Sequence, residues 1–158
     1  HFFERLAQAA PAEPTGFLYI RRSCVLLPAG QNQEDDTLGD ASVWAGCTAP
    51  LTTLVLESAG GIEDAVGCLQ VDFANEFLGG GVLCGGCVQE QIRFAVSPEC
   101  TVGLLVCPRM LGHEAIVITG AEQFSHYTGY GFSLRYGGDF VDTTPRASDG
   151  AQISSFLQ

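Results

Sequence analysis

Between residues 68 and 98 the chain changes character three times in quick succession. A nearly continuous apolar run, residues 68–73, ends near polar Asn75. Three successive glycines follow, in the order Val71-Asp72-Phe73-Ala74-Asn75-Glu76-Phe77-Leu78-Gly79-Gly80-Gly81-Val82. The chain then takes up helical spacing in Val88-Gln89-Glu90-Gln91-Ile92-Arg93-Phe94, with Val88, Ile92 and Val96 every fourth position until Pro98 stops it. Such an order predicts a strand inside a sheet, an irregular glycine loop over residues 79–82, and a helix starting near Val88. Glycine lets the backbone come within hydrogen-bonding distance of a ligand, and the free N–H groups of a helix start favour anions. A glycine run alone is more often a plain loop before a capped helix.

The rest of the chain fits around this unit. Phe2, Phe3 and Leu6 sit at helical spacing ahead of Pro11 and Pro14, so a short helix opens the chain. Residues 16–27 read as a strand, and residues 28–46, with Gln31, Glu34, Asp35, Asp36 and Asp40, as an acidic surface loop. Residues 51–56 read as a further strand closed by the Gly60-Gly61 turn, and residues 102–107 as a short apolar segment. Residues 115–119 read as a buried strand, followed by a turn-rich stretch to Gly131 and a polar tail. Strand, loop, helix and strand in succession predict a three-layer α/β fold, with a mixed sheet flanked by helices and ligands at the strand ends.

The chain has 158 residues, enough for one core, and 46% apolar content fits a packed domain. A formal charge of -11 repels nucleic acid, so an anionic ligand must be held locally by backbone N–H groups. Seven cysteines without regular spacing predict reduced, mostly buried thiols and an intracellular, nuclear or cytoplasmic protein that is not secreted. No apolar run approaches ~20 residues, so no membrane association is expected.

Further motifs lie at Ile118-Thr119-Gly120-Ala121-Glu122-Gln123-Phe124-Ser125 and Tyr127-Thr128-Gly129-Tyr130, with Pro50-Leu51-Thr52 and Ile62-Glu63 upstream. Together with the Gly-Gly-Gly run and the Gln-Glu-Gln that follows it, they resemble the signature of the poly(ADP-ribose) glycohydrolases. The resemblance is patchy before Pro50 and strong from Leu69 to about Gly131. It implies a macrodomain that binds the terminal ADP-ribose of a poly(ADP-ribose) chain. Residues 1–158 would form a single macrodomain core, a fragment of a longer glycohydrolase-type domain. Gly79, Gly80 and Gly81 would cradle the diphosphate, and Asn75 would contact the distal ribose. Glu90 would hydrogen-bond ribose hydroxyls, Gln89 would line the pocket, Tyr130 would close over the ligand, and Ile62 and Glu63 would lie near the adenine. No cofactor and no metal is implied.

At the position of the family's catalytic glutamate this sequence has Gln91. In the family that second glutamate protonates the leaving ribose oxygen and then activates water. A carboxamide keeps the shape but cannot cycle a proton at neutral pH. The resemblance therefore implies hydrolysis of the ribose–ribose O-glycosidic bond, impaired here, with Glu90 and Gln91 at the catalytic position. The alternative is a catalytically inactive ADP-ribose reader, or a structural pseudoenzyme with other subunits of a larger assembly as partners. Cys84-Gly85-Gly86-Cys87 has metal or redox spacing, but no second pair follows to complete a zinc site. His113 and His126 read as turn or surface residues, Glu122 and Gln123 as a turn beside the site, and Trp44 equally as a packing anchor or a functional residue. Arg93 reads as the partner of a carboxylate at the edge of the core.

Overall fold

Alternation in the segment Glu114–Thr119 drives Ile116 and Ile118 to one side, and both are fully buried. The computed structural model describes residues 2–9, 16–24, 45–148, 152 and 155–157. Trp44 and nearly all of the acidic stretch, residues 28–46, lie outside them, as do residues 25–27 of the first expected strand. The described elements are α1 (Phe2–Ala9), β1 (Tyr19–Cys24), β2 (Leu69–Val71), α2 (Gln89–Val96), α3 (Gly103–Val106), β3 (Glu114–Thr119), β4 (Ser125–Thr128), β5 (Arg135–Asp139) and β6 (Ser155–Leu157).

Four strands form a mixed sheet in the order β1-β3-β6-β2. β1 runs antiparallel to β3 from Tyr19 opposite Thr119 to Cys24 opposite Glu114, β6 antiparallel to β3, and β2 parallel to β6. Arg22 fastens the outer end. Its Nε donates to Glu114 Oε1 at 3.0 Å, and its terminal nitrogens donate to the carbonyls of Pro108 and Arg109 at 2.8 and 2.7 Å. The same guanidinium draws the Glu114 carboxyl down to about 2. The core gathers Leu78, Phe94, Cys100, Met110, Ile116, Ile118 and Ala121, with Leu18, Ile20 and Leu104 against it. Helix α1 docks through Phe2, whose ring meets Phe124 edge-on at 4.8 Å, and through Arg5, whose guanidinium lies 4.5 Å from the centre of that ring.

The α/β class, the mixed sheet, α1, the helix at residues 89–96 and the strand at residues 115–119 match the expectations from sequence. Four readings need correction. Residues 51–56 form no strand, and Leu51, Leu54, Val55 and Leu56 are 70–98% exposed. An apolar run signals burial without naming the surface that buries it, and none covers this one among the described residues. In β2 the polarity is inverted: Leu69 and Val71 face out, while Gln70 and Asp72 are buried. The stretch after β3 is not only turns, because β4 and β5 pair as a hairpin with a register shift at His126/Tyr127. The thiols are not mostly buried: Cys24, Cys47, Cys68 and Cys84 are exposed, and only Cys100 is fully enclosed among the described cysteines. Among the described residues no helix is long and apolar enough to cross a membrane.

Candidate functional site

Helix α2 is buried almost all round. Glu90, Gln91, Ile92, Arg93, Phe94 and Val96 are inside and Ala95 alone of its later residues is exposed. Ser97 leaves helical geometry with its N–H on the Arg93 carbonyl at 2.9 Å, and Pro98 begins the next turn. At the other end the Gln91 side chain reaches back, its Oε1 accepting from the Val88 N–H at 3.3 Å. That is one half of a capping box. The amide nitrogen of Gln91 donates to Glu90 Oε2 at 3.1 Å. Glu90 and Gln91 are 2% and 7% exposed, so this pair of polar side chains is held out of bulk water.

The glycine run folds over that pair. Its amides and carbonyls are used locally: Gly80 N–H to the Phe77 carbonyl at 2.9 Å, and Val82 N–H to the Gly79 carbonyl at 3.0 Å. Gly80 has φ +48°, a left-handed conformation that L side chains rarely adopt. A Cβ there would lie 2.6 Å from Glu90 Oε2, 2.8 Å from Gln91 Nε2 and 3.3 Å from Asn75 Cβ. The open side of Gly80 therefore faces both residues of the helix start and Asn75, which lies past the end of β2. Gly79 faces the other way, toward Leu104, Val82 and Phe94 of the core, and Gly81 faces Gly86.

Gln89 ties the helix to the strand. Its Oε1 accepts from the Phe73 N–H at 2.9 Å and its Nε2 donates to the Val71 carbonyl at 3.1 Å. The Gln89 N–H in turn points to the Tyr130 hydroxyl at 3.3 Å. Tyr130 is 59% exposed at the start of the Gly131–Ser133 turn, and the Gly131 N–H bonds the Cys87 carbonyl at 2.9 Å. The structure thus brings Asn75, Gly80, Gln89, Glu90, Gln91 and Tyr130 into one neighbourhood. Asn75 Oδ1 accepts from the Phe77 N–H at 3.0 Å, an Asx turn that reverses the chain into the glycines.

Ile62 and Glu63 sit on a separate turn, Ile62–Asp64. Glu63 Oε1 accepts from the Tyr127 hydroxyl at 3.4 Å, and burial and that carboxylate push the tyrosine above its ordinary value. Glu63 lines a cavity of about 190 Å³ with Gln70, Arg93, Gln123, His126 and Asp142, on which none of the glycines borders. Sequence reasoning did not single out Gln70, Asp72 or Gly86. Asp72 is 9% exposed; burial raises its carboxyl to about 6, with the Phe73 amide and the Arg93 charge pulling the other way. Arg93 thus acts on a carboxylate at the edge of the core. Gly86 packs on Gln91, and its place in a Cys-Gly-Gly-Cys run was the one available signal. Among the described residues no group of three or more His, Cys, Asp or Glu is placed to hold a metal.

Compared with known proteins, residues 41–157 match a family model described as poly(ADP-ribose) glycohydrolase, macro domain fold. The chain is 42% identical over 143 residues to poly(ADP-ribose) glycohydrolase 1 of Arabidopsis thaliana, covering 90% of this chain and 24% of that protein. It is 40% identical over 143 residues to probable poly(ADP-ribose) glycohydrolase 2 of the same plant, covering 90% of this chain and 26% of the relative. With poly(ADP-ribose) glycohydrolase 1 of Caenorhabditis elegans it shares 60% identity over 75 residues, 48% of this chain and 10% of that protein. The chain spans about a quarter of the length of the two plant relatives. Matched over most of its length, and carrying a mixed sheet, a glycine run and a helix start in that order, the chain belongs to the poly(ADP-ribose) glycohydrolase family.

Proposed function

We propose that this chain is the ADP-ribose-binding core of a poly(ADP-ribose) glycohydrolase, with the three-layer macrodomain arrangement, and that Gln91 makes it slow or inactive in hydrolysis. The observation that carries the reading is the approach of Gly80 backbone to Glu90 and Gln91 at a buried helix start. In this reading a diphosphate lies along that backbone, beside polar groups that meet a ribose. In this reading Asn75, Gly79, Gly80, Gly81, Gln89, Glu90 and Tyr130 line the ligand, with Ile62 and Glu63 toward the adenine.

Gln91, in this reading, removes the acid–base step. A glutamate at this position would keep the Val88 contact through one oxygen and set the other about 3.1 Å from Glu90 Oε2. Two buried carboxyls that close share a proton, because they cannot both ionise, and the raised value of the pair supplies an acid near neutral pH. That acid would protonate the ribose oxygen as the glycosidic bond breaks, and its carboxylate would then take a proton from the attacking water. The Gln91 amide instead donates to Glu90 Oε2 and has no proton to cycle at neutral pH. Both ends of the amide are engaged, which favours a second reading, an ADP-ribose reader without turnover.

Titration calorimetry with ADP-ribose, beside hydrolysis of poly(ADP-ribose) by the native chain and Gln91→Glu, separates these. The substitution is expected to raise the rate by about a hundredfold or more, the usual worth of a positioned acid–base. A native rate equal to that of the variant would sink the assignment of Gln91. Absence of binding at millimolar ligand would sink the site itself.

A further inference from the structure

We infer that Cys84 and Cys87 form a redox-sensitive pair, which a hydroperoxide converts to a disulfide that alters the fit of the glycine strap on Glu90 and Gln91. The two cysteines flank Gly85-Gly86 in the segment joining the glycine run to helix α2. Cys84 is exposed, Cys87 is half-buried, and both are free thiols. The chain turns at Gly85, between them. Val82–Cys84 is a short helical turn, Gly85 follows at φ +80°, and the N–H groups of Cys84 and Gly86 both bond the Gly81 carbonyl at 2.9 Å. Two amides converging on one carbonyl hold the backbone on either side of Gly85 close together. A Cys-X-X-Cys spacing with a left-handed glycine turn inside it favours a bond between its own ends.

Of the other described thiols, Cys24, Cys47 and Cys68 are exposed like Cys84, but none has a second cysteine within ten residues along the chain. Cys100 is fully enclosed and pushed up to about 12 by burial, and Cys107 is raised by the same cause, so neither offers a ready thiolate. In the proposed step the exposed Cys84 thiolate attacks the terminal oxygen of a hydroperoxide. The O–O bond breaks, leaving a sulfenic acid on Cys84 and releasing water or the corresponding alcohol. The Cys87 sulfur then displaces the hydroxyl from Cys84, forming the S–S bond and releasing water. Two electrons pass from the two thiols to the peroxide, and the two thiol protons leave in the released molecules.

The strap has no slack at this point. A Cβ on Gly86 would lie 2.6 Å from Gln91 Cγ and 3.0 Å from the Gly81 carbonyl carbon. The Cys87 carbonyl holds the Gly131 N–H beside Tyr130. Drawing Cys87 toward Cys84 turns the Gly85-Gly86 linkage, and that turn is passed to Gln91 on one side and the Tyr130 turn on the other. The effect on affinity rests on ADP-ribose occupying this site; formation of the bond does not.

The test treats the protein with hydrogen peroxide and maps its peptides by mass. Calorimetry with ADP-ribose then follows on reduced, oxidised and re-reduced samples of the native chain and Cys84→Ser. The expected result is a Cys84–Cys87 peptide lighter by two hydrogen atoms and affinity weakened about fivefold or more. Dithiothreitol should reverse the loss, and Cys84→Ser should show none. Thiols that stay reduced, stop at a sulfinic acid or pair elsewhere would overturn the proposal. A disulfide with unchanged affinity would overturn its control of the site. A reduced protein that binds no ADP-ribose would overturn the ligand reading and the control together, while the peptide map still decides the bond.

Discussion

Replacing Gly80, Gly85 and Gly86 with alanine, one at a time, separates backbone strain from steric fit within a single strap. At Gly85 the left-handed φ of +80° is strained for alanine, yet a Cβ would meet nothing within 4 Å. Alanine in that conformation costs about 1–2 kcal/mol and nothing more is expected. Gly86 presents the opposite case: no positive φ, but a Cβ 2.6 Å from Gln91 Cγ and 3.0 Å from backbone at Gly81. Overpacking of that kind costs about 1–3 kcal/mol. Gly80 combines both, since φ is +48° and the Cβ would strike Glu90 Oε2 and Gln91 Nε2. These are side-chain ends, but both residues are buried and cannot simply swing into water. The sum for Gly80→Ala is about 2–5 kcal/mol. Urea midpoints at constant slope measure the three losses, and calorimetry with ADP-ribose measures the site. Gly80→Ala and Gly86→Ala should each weaken binding about tenfold, or 1.4 kcal/mol, while Gly85→Ala leaves it within about a factor of two. Equal losses of stability at Gly85 and Gly80 would refute the steric argument, and full affinity in Gly80→Ala would refute the placement of the ligand.

Tyr130→Ala should weaken ADP-ribose binding by about 1–3 kcal/mol with little change in stability, because the ring is largely exposed while its hydroxyl meets the helix start. Tyr127→Ala, which loses a half-buried ring and the Glu63 contact, should do the reverse; identical stability losses with unchanged affinity would make Tyr130 a packing residue. Burial raises Asp72 to about 6 from an ordinary 3.8, so the folded chain holds that proton more tightly than the unfolded one. The stability contributed by this group is full below pH 3.8 and is lost as pH rises through about 6. Asp72→Asn should therefore stabilise the chain by about 1–2 kcal/mol near neutral pH, after allowance for the solvent that still reaches the group, and by nothing near pH 4. Urea midpoints at the two pH values decide it, and equal destabilisation at both would show that the carboxylate is needed where it stands.

How far the fold could be read from sequence depended on whether each segment carried its own partner. Helix α2 and strand β3 were legible because Ile92 and Val96, or Ile116 and Ile118, repeat at the period of the element and pack inside the described core. Residues 51–56 are equally apolar, yet nothing among the described residues covers them, and their periodicity carried no information on that point. The β4–β5 hairpin escaped notice because the shift at His126/Tyr127 and the Gly137-Gly138 pair break the alternation that marks a strand. At the site, the order strand, glycine run and helix start, taken with the family resemblance, led to the expectation of Asn75, Gly80, Glu90 and Gln91 as neighbours. The cavity beside Glu63 was not legible, since Gln70, Arg93 and Asp142 are far apart along the chain and share no motif.

The side chain of Gln89 has a consequence for how the sheet ends. The Val71 carbonyl and the Phe73 N–H flank Asp72, and they are the two groups that a residue on a parallel neighbouring strand would engage. The Gln89 carboxamide offers the matching acceptor and donor, and so stands in for a neighbouring strand where none is found among the described residues. On that side the ladder finishes on a side-chain rung. No further strand can zip past it toward Asn75 without first displacing the helix start. The residues after Val71 are thereby released from sheet geometry ahead of the glycine run.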